Sequence, residues 1–468
     1  MSQALPIRLR TELRQTLILA GPIVLNQVGH MSMGLVDTMV AGRISTVALA
    51  GLGLAVNCFW TFTAVCQGCL LALDTCFAQA VGAKDHRTLR RYLEQSFWAC
   101  GIVTFVSGIL IAVVGGLYLW LAARTEMRAA FAVYLVNIFW CLPSLFIFFV
   151  LQRYWQARNR VMPFTIIILA ANVLNLLACV ALGLGKWGFP AFGIRGIAWA
   201  TNISRYAMLV AALIFSWRQL GHTRITVPVF DRAIQRRFFS LGIPAASHTA
   251  LEIGAFTIAT FIVGTLGSVP LAAHHVCLMM AAFTFMFPLG FSAAAAVRVG
   301  AFIGAKDPNR AKVAGWLAIG VAVLVMSGFA VLYLTMPGLL LRCFTSDPAV
   351  LKLGMNILVL VALFQVADGI QVTTTGALRG LGDTRTPMLA NLFGHYPVGL
   401  ATGLILCFGF GYGVIGIWTG LACGLVSVAA LLLKAWSRAT ANAHTLQPLP
   451  QLNSPAPRPR PGTAPLGS

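Results

Sequence analysis

Charged residues are scarce in this chain, and acidic residues are the scarcest of all. Only 10% of the 468 residues are charged, and 33 Lys and Arg stand against 12 Asp and Glu. A soluble globular domain carries about 25% charged residues. The composition therefore excludes an ordinary soluble protein, and the position of each carboxylate becomes informative.

Metal-binding and catalytic motifs are missing as well. The eleven cysteines include one C-x-x-C spacing, Cys66 and Cys69, which falls in an apolar stretch without a second Cys or His pair. That pattern does not predict a structural zinc site. No H-E-x-x-H or paired catalytic constellation occurs, which argues against an intramembrane enzyme. We therefore predict no metal centre, no cofactor and no enzymatic activity.

Long apolar segments are abundant instead. The chain is 59% hydrophobic, and segments of more than ~18 apolar residues can cross ~30 Å of hydrocarbon as helices. A membrane β-barrel would need alternating segments of about 10 residues. The pattern predicts an all-α membrane protein with 12 transmembrane helices, near 15–39, 47–75, 93–121, 129–151, 162–184, 194–217, 238–265, 271–299, 313–339, 351–376, 386–409 and 413–435.

Positive charge is unevenly distributed among the predicted loops. Lys and Arg concentrate at the two ends of the chain and in the even-numbered loops, including 84–91, 153–160, 218–237 and 298–312. Cytoplasmic loops of membrane proteins carry the excess of positive charge, so we predict that both termini are cytoplasmic. The net charge of +21 then matches anionic lipid head groups rather than nucleic acid.

The sequence contains an internal repeat. Gly82-Ala83-Lys84-Asp85 recurs as Gly304-Ala305-Lys306-Asp307, and the same offset of 222 relates Pro22 to Pro244. Each half would hold six spans, so both halves enter the membrane from the same side. They would be related by a pseudo-twofold axis along the membrane normal, with the substrate site between them.

This repeat divides the chain. We predict an N-terminal lobe at 1–217, a cytoplasmic loop at 218–237, a C-terminal lobe at 238–436 and a disordered Pro-rich tail at 437–468.

Carboxylates occur within the predicted spans. An ionisable group at membrane depth is costly unless it is paired or faces a wet cavity, so it is by default a candidate functional residue. Asp74 approaches the cytoplasmic end of its span near Lys84 and Arg87, which favours a cap or an interfacial ion pair over a role in transport. The four carboxylates are Asp37, Asp74, Glu252 and Asp368.

Several segments resemble a known family. M-G-L-V-D-T-M-V-A-G at 33–42, A-A-H-H at 272–275, Q-V-A-D-G-I-Q at 365–371 and G-A-L-R-G-L-G-D at 376–383 are similar to multidrug and toxic compound extrusion (MATE) transporters of the bacterial NorM-like branch. The resemblance implies a two-lobe antiporter of the bacterial inner membrane. It would export organic cations in exchange for Na⁺ or H⁺.

The resemblance also implies roles for particular residues. Asp37, Glu252 and Asp368 match the family's acidic residues on the first, seventh and tenth helices, and Na⁺ is a candidate ligand of the last two. The chain departs from the family at His275, where Gln is frequent, and at Phe364, where some members have Tyr.

Further polar residues in the spans have two interpretations each. Asn172 and Asn175 could lend oxygens to a cation or bridge neighbouring helices. Arg205, permanently charged in the sixth span, is expected to pair with Asp37 or Asp74 as a structural counter-ion. The candidates for lining the transport cavity are Asn172, Asn175, His275, Phe364 and Gln371.

We therefore expect a monomeric secondary antiporter for bulky amphipathic cations, whose partners are small-molecule substrates and membrane lipid. The main alternative is a flippase for lipid-linked oligosaccharides. A flippase would line its cavity with Arg and Lys to meet diphosphate, and here Arg205 is the main basic residue within the spans. A channel is disfavoured by the repeat and by the buried acids.

Overall fold

The computed structural model describes residues 4–121, 126–220, 229–441 and 448–449, and these are nearly all helical with no β-strand among them. The long helices of this described part are α1 (Ala4–Gly42), α2 (Thr46–Gly82), α3 (His86–Leu121), α4 (Glu126–Ala157), α5 (Met162–Gly183), α6 (Ile194–Leu220), α7 (Arg232–Gly264), α8 (Ser268–Gly304), α9 (Pro308–Thr335), α10 (Pro348–Leu381), α11 (Arg385–Gly409) and α12 (Gly413–Ala441). A short helix, Pro337–Arg342, lies between α9 and α10.

The helices agree with the predicted membrane class. Eleven of them, α2 to α12, are long and apolar enough to cross a membrane. Helix α1 has 39 residues, but Asn26, Gln27, His30 and Asp37 make it more polar than the others. The all-helical membrane fold is thus confirmed, and length and composition support eleven of the twelve predicted spans.

The two copies of the Gly-Ala-Lys-Asp motif have the same local structure. Lys84 and Lys306 both adopt a left-handed conformation, with φ of 56° and 59°. Asp85 then accepts a hydrogen bond from the backbone N of Thr88, and Asp307 accepts one from Arg310 N. Each Asp satisfies a free N–H at the start of its helix. The sequence repeat is therefore also a repeat of backbone geometry.

Each half of the chain has an apolar core of its own. The largest cluster of buried side chains comes from α1 to α6 and the first turns of α7, with Phe146 and Trp155 near its centre. Two further clusters belong to α7 to α12 and include Trp418 and Trp436. A small fourth cluster joins α1 to α8. The halves therefore fold as two lobes that contact each other through a limited set of helices.

Glycines bring the lobes together at one end of the bundle. We call this end the GAKD face, after the motif loops 82–85 and 304–307 that lie there. A Cβ atom on Gly82 would clash with the backbone of Ala301, and one on Gly304 would clash with the backbone of Gln79. Only glycine permits this approach of α2 to α8. The lobes are therefore packed backbone to backbone at the GAKD face.

Two residues of the predicted tail contact this face. The backbone N of Leu449 donates to Oε1 of Gln79 over 2.9 Å, and the Leu449 side chain packs against the core of the N-terminal half. The rest of the predicted tail from residue 442 onward, 442–447 and 450–468, lies outside the described residues, as do 221–228 of the loop between the lobes.

Candidate functional site

The first candidate site surrounds Asp37 on α1. Its carboxylate is buried and accepts hydrogen bonds from Oγ1 of Thr201 at 2.8 Å, the hydroxyl of Tyr134 at 3.1 Å, and Nδ2 of Asn175 and Sγ of Cys179, both at 3.4 Å. These donors come from α4, α5 and α6. No Lys or Arg among the described residues forms a salt bridge with Asp37, so its direct hydrogen-bond partners are four neutral donors. Such a carboxylate can exchange its donors for a proton or cation.

Helix α5 presents two donors to Asp37 from one face. Asn175 and Cys179 are four residues apart, and residues at this spacing lie on the same side of a helix. Cys179 also begins a five-residue π-helical turn, Cys179–Gly183, a feature that is frequent at functional sites.

Arg205 forms no direct salt bridge with the predicted acids, Asp37 and Asp74, in the part of the chain that the structure describes. Its Nη1 donates to Nδ1 of His30 over 3.0 Å, and its guanidinium lies 5.3 Å from the ring centroid of Trp60. Its Nε and Nη2 are buried and have no hydrogen-bond partner among the described residues. Asp37 is close enough for its charge to interact with the guanidinium. The direct contacts of Arg205 are therefore a hydrogen bond and a cation–π contact, and Asp37 acts on it at longer range.

The second candidate site lies between α7 and α10. Nε2 of Gln371 donates to Oε1 of Glu252 over 2.9 Å. Asp368, one turn earlier on α10 and buried, is close enough to Glu252 for the two charges to interact. No Lys or Arg of the described chain forms a salt bridge with either acid. The structure thus brings together Glu252 and Asp368, the two acids proposed from the sequence as a cation site, and Gln371, which the sequence offered only as a cavity-lining candidate.

Gln371 also supplies an oxygen. Its Oε1 is buried and has no hydrogen-bond partner among the described residues. Carboxylate and carboxamide oxygens are the ligands that hard cations such as Na⁺ prefer. Two carboxylates and one free carboxamide oxygen make a donor set that fits a monovalent cation, and a proton can equally bind either acid.

The other predicted cavity residues form no hydrogen bond with an acid of either site in the part of the chain that the structure describes. Nδ2 of Asn172 donates to the carbonyl of Ile168 in its own helix. Phe364 is buried and stacks on Trp418, with ring centroids 6.0 Å apart, so it belongs to the core rather than to a cavity wall. The ring of His275 lies 5.9 Å from that of His274 on the same helix.

Asp74 has different partners from those predicted. Its side chain is fully buried, and its Oδ2 lies 3.4 Å from Nη1 of Arg153 and 3.4 Å from Nη2 of Arg379. Lys84 and Arg87 are exposed. The expected ion pair exists, but it joins α2 to α4 and to α10 of the other lobe.

Some residues of these sites could not be identified from the sequence. Tyr134, Cys179 and Thr201 are neutral residues in apolar helices, and no spacing marks them as partners of Asp37. Arg153 was visible only as part of a basic loop region, and Arg379 only as a residue of the G-A-L-R-G-L-G-D motif. The only sequence signal for these residues would have been a helical repeat of small or hydroxyl-bearing residues. Such repeats are common in membrane helices, so they do not single out a site.

One known protein family matches both halves of the chain. The family model MatE matches residues 22–181 and again residues 244–405. The chain belongs to the MatE family. The starts of the two matches are separated by the offset of the internal repeat, so the family unit corresponds to one lobe. The resemblance inferred from the motifs is confirmed.

Full-length relatives of this MatE-family chain are named probable multidrug resistance protein NorM. One from Rhodopseudomonas palustris is 35% identical over 444 residues, which cover 93% of each chain. One from Pseudomonas putida is 33% identical over 435 residues, covering 90% of this chain and 93% of the relative.

Solved structures share the fold. The eukaryotic MATE transporter AtDTX14 is similar with a TM-score of 0.83 at 21% identity, covering 93% of this chain and 99% of that one. The Vibrio cholerae MATE transporter VcmN in its bent form has a TM-score of 0.83 at 17% identity, covering 94% and 99%. At these identities the similarity establishes the two-lobe fold and no more.

Proposed function

We propose that this MatE-family protein is a secondary antiporter that exports organic cations in exchange for Na⁺ or H⁺. The observation that carries the proposal is the neighbouring pair of acids Glu252, which is half-buried, and Asp368, which is buried; neither has a salt-bridge partner among the described residues. A structural ion pair would include an Arg or Lys, as Asp74 does. Unpaired acids at membrane depth are expected where a cation binds and leaves.

The chemistry of exchange follows from charge. When Glu252 and Asp368 are ionised, they attract an organic cation strongly, because Coulomb energies are larger in a low-dielectric interior than in water. Binding of Na⁺ or H⁺ neutralises part of that charge and weakens the attraction. Drug and coupling ion then compete for the same carboxylates, and competition of this kind couples their movements in opposite directions.

Asp37 would act as a second acid in the N-terminal lobe. Four donors hold its carboxylate in place. Binding of a proton would turn one acceptor oxygen into a donor, so Thr201 or Tyr134 would have to rotate or release its hydrogen bond. We propose that Asp37 adjusts the packing of α1 in this way, while Glu252 and Asp368 bind the coupling cation directly.

The substrate class is supported by the relatives and by composition. The relatives carry the name multidrug resistance protein, and the chain contains 30 Phe and 14 Met. Soft apolar side chains suit sites that accept many different molecules. The expected substrates are bulky, amphipathic and cationic.

The decisive experiment measures efflux of ethidium from bacterial cells under imposed Na⁺ and pH gradients. Wild-type protein should accelerate efflux when either a Na⁺ or a H⁺ gradient is applied. The double variant Glu252→Gln, Asp368→Asn keeps side-chain size and hydrogen bonding but removes both charges, so it should reach the membrane and give no gradient-driven efflux.

Two results would contradict the proposal. Efflux by the double variant equal to that of wild type would exclude these acids as the coupling site. Translocation of a lipid-linked oligosaccharide in vesicles, without ethidium efflux from cells, would favour the flippase instead.

A further inference from the structure

The GAKD face contains two clusters in which one buried carboxylate is shared by two arginines; all of these side chains are buried except that of Arg310, which is half exposed. In the first, Asp74 of α2 pairs with Arg153 of its own lobe and with Arg379 of the other lobe. In the second, Glu12 of α1 pairs with Arg298 of α8 and Arg310 of α9. In both clusters the N-terminal lobe supplies the acid and the C-terminal lobe supplies an arginine.

We propose that these clusters form an interlobe latch: Asp74–Arg379 and Glu12 with Arg298 and Arg310 hold the GAKD face closed and separate when that face opens. The inference rests on the proposed alternating-access function, because a transporter of this type must expose its central site to each side in turn. It assigns Asp74 and Glu12 a role apart from the cation-binding acids.

Neutral hydrogen bonds also join the two lobes beside the first cluster. The hydroxyl of Thr75 donates to the carbonyl of Arg379, and Nε2 of Gln79 donates to the carbonyl of Gly380 over 3.1 Å. These carbonyls belong to the last turn of α10, where the carbonyl of Arg379 also accepts a hydrogen bond from the backbone N of Gly382. Side chains of α2 therefore cap the end of α10 across the lobe boundary, next to the Asp74–Arg379 pair.

The second cluster has two-point geometry. Oε1 of Glu12 accepts from Nε of Arg310 at 3.0 Å and from its Nη2 at 2.6 Å, while Oε2 accepts from Arg298. Charge-assisted hydrogen bonds of this kind are among the stronger polar contacts in proteins. Glu12 thus connects the start of α1 to two helices of the opposite lobe.

The arrangement of Asp74 permits reversible opening. Removing the partner of a buried ion normally leaves an uncompensated charge. If the lobes separate, Asp74 keeps Arg153 in its own lobe, and Arg379 becomes solvated as water enters the opened face. Neither charge is left both buried and alone. A permanent interface would not need this second arginine.

The glycine contacts define what the latch holds. Because Gly82 and Gly304 pack directly on backbone of the opposite lobe, a small separation there removes many contacts at once. The apolar clusters lie mainly within each lobe. The ion pairs and hydrogen bonds between the lobes therefore contribute much of the specificity with which the two lobes meet at the GAKD face. Their loss should change the ratio of closed to open molecules.

The test measures the distance across the GAKD face in the full chain. Nitroxide labels are attached through a genetically encoded keto amino acid at Arg87 and Asn309, two exposed positions in the first turns of α3 and α9. This chemistry leaves the native cysteines untouched. Electron–electron distance measurements are made in lipid nanodiscs without substrate or ion gradient.

Arg379→Gln removes only the interlobe half of the first cluster, and Glu12→Gln removes the acid of the second. Each should raise the ratio of long to short distances roughly tenfold or more, as expected for loss of a hydrogen bond to a charged group. Arg153→Gln is the matched control, because it removes the intralobe pair and leaves Asp74–Arg379 across the boundary. It should give a distance distribution no more open than that of wild type, because opening would then leave Asp74 buried without a partner, and Arg379→Lys should lie between wild type and Arg379→Gln.

An unchanged distribution in both Arg379→Gln and Glu12→Gln would overturn the latch. So would an Arg153→Gln variant that opens as far as Arg379→Gln, since Asp74 would then serve only its own lobe. If Arg379→Gln fails to fold, Glu12→Gln decides the question alone. If the variants change the distances but the wild-type protein gives no ethidium efflux, the proposed function is rejected and the latch is kept. If the wild-type protein gives efflux but the variants leave the distances unchanged, only the latch is rejected.

Discussion

Gln371 donates a hydrogen bond from Nε2 to Oε1 of Glu252 over 2.9 Å, while its own carbonyl oxygen is buried and has no hydrogen-bond partner among the described residues. The residue thus orients one acid and offers an oxygen beside it. This relationship links α10 to α7, and it distinguishes Gln371 from Gln365 on the same helix, whose Nε2 donates to Thr284 instead.

Gln371→Leu should weaken coupling-ion binding. It removes both the donor that orients Glu252 and one candidate oxygen ligand, and loss of such supporting groups typically costs about 10–100-fold in metal affinity. The concentration of the coupling ion that gives half-maximal ethidium efflux should rise accordingly. Gln365→Leu is the control, because Gln365 is equally buried but forms no hydrogen bond with either acid among the described residues. Equal effects of the two variants would exclude a specific role for Gln371.

Thr201→Val should destabilise the N-terminal lobe through Asp37. The variant keeps the shape of Thr201 but removes the shortest hydrogen bond to a buried carboxylate, a loss of about 1.5–3 kcal/mol. Thermal unfolding of the purified protein should occur at a lower temperature. Thr63→Val provides the comparison, since Thr63 is buried and donates only to the carbonyl of Phe59 in its own helix. A larger loss in Thr63→Val than in Thr201→Val would refute the importance of the Asp37 cluster.

Arg205→Ala should lower stability and expression. The change removes the donor to His30 and the contact with Trp60, at a cost of about 1.5–3 kcal/mol for a charged hydrogen bond. Fluorescence-detected size-exclusion chromatography after heating measures the effect. Arg195→Ala, at an exposed position of the same helix, should behave like wild type. A normally stable Arg205→Ala with a changed substrate range would instead assign Arg205 to the drug cavity.

The predicted orientation makes both termini cytoplasmic. A reporter enzyme that is active only in the cytoplasm should be active when fused after Leu220 or at the C-terminus, because positive charge concentrates on that side. A periplasmic reporter at the same positions should be silent. Periplasmic activity at either position would contradict the orientation, and it would also move the GAKD face to the outside.

The sequence was sufficient for the class of fold. Long apolar segments can satisfy their backbone in lipid only as helices, so the helices were predictable before the structure was known. The repeat was equally readable, and the structure repeats it in the φ angles of Lys84 and Lys306. The acids Asp37, Glu252 and Asp368 stood out because charge is costly at membrane depth.

Partner choice was not predictable in the same way. Asp74 was expected to pair with Lys84 and Arg87, which are near in sequence, but it pairs with Arg153 and Arg379. Arg205 was expected to meet a carboxylate, but it meets His30 and Trp60. Phe364 was a cavity candidate, but it packs on Trp418.

The difference has a physical cause. Hydrophobicity and charge are properties of each residue and its neighbours along the chain, so the sequence by itself determined which segments are helices, where the repeat lies and which acids are costly. Contacts between helices depend on how side chains and small residues pack in three dimensions. Only the tertiary structure brought Tyr134 and Thr201 to Asp37, brought Gln371 to Glu252, and brought Arg379 across the lobe boundary to Asp74.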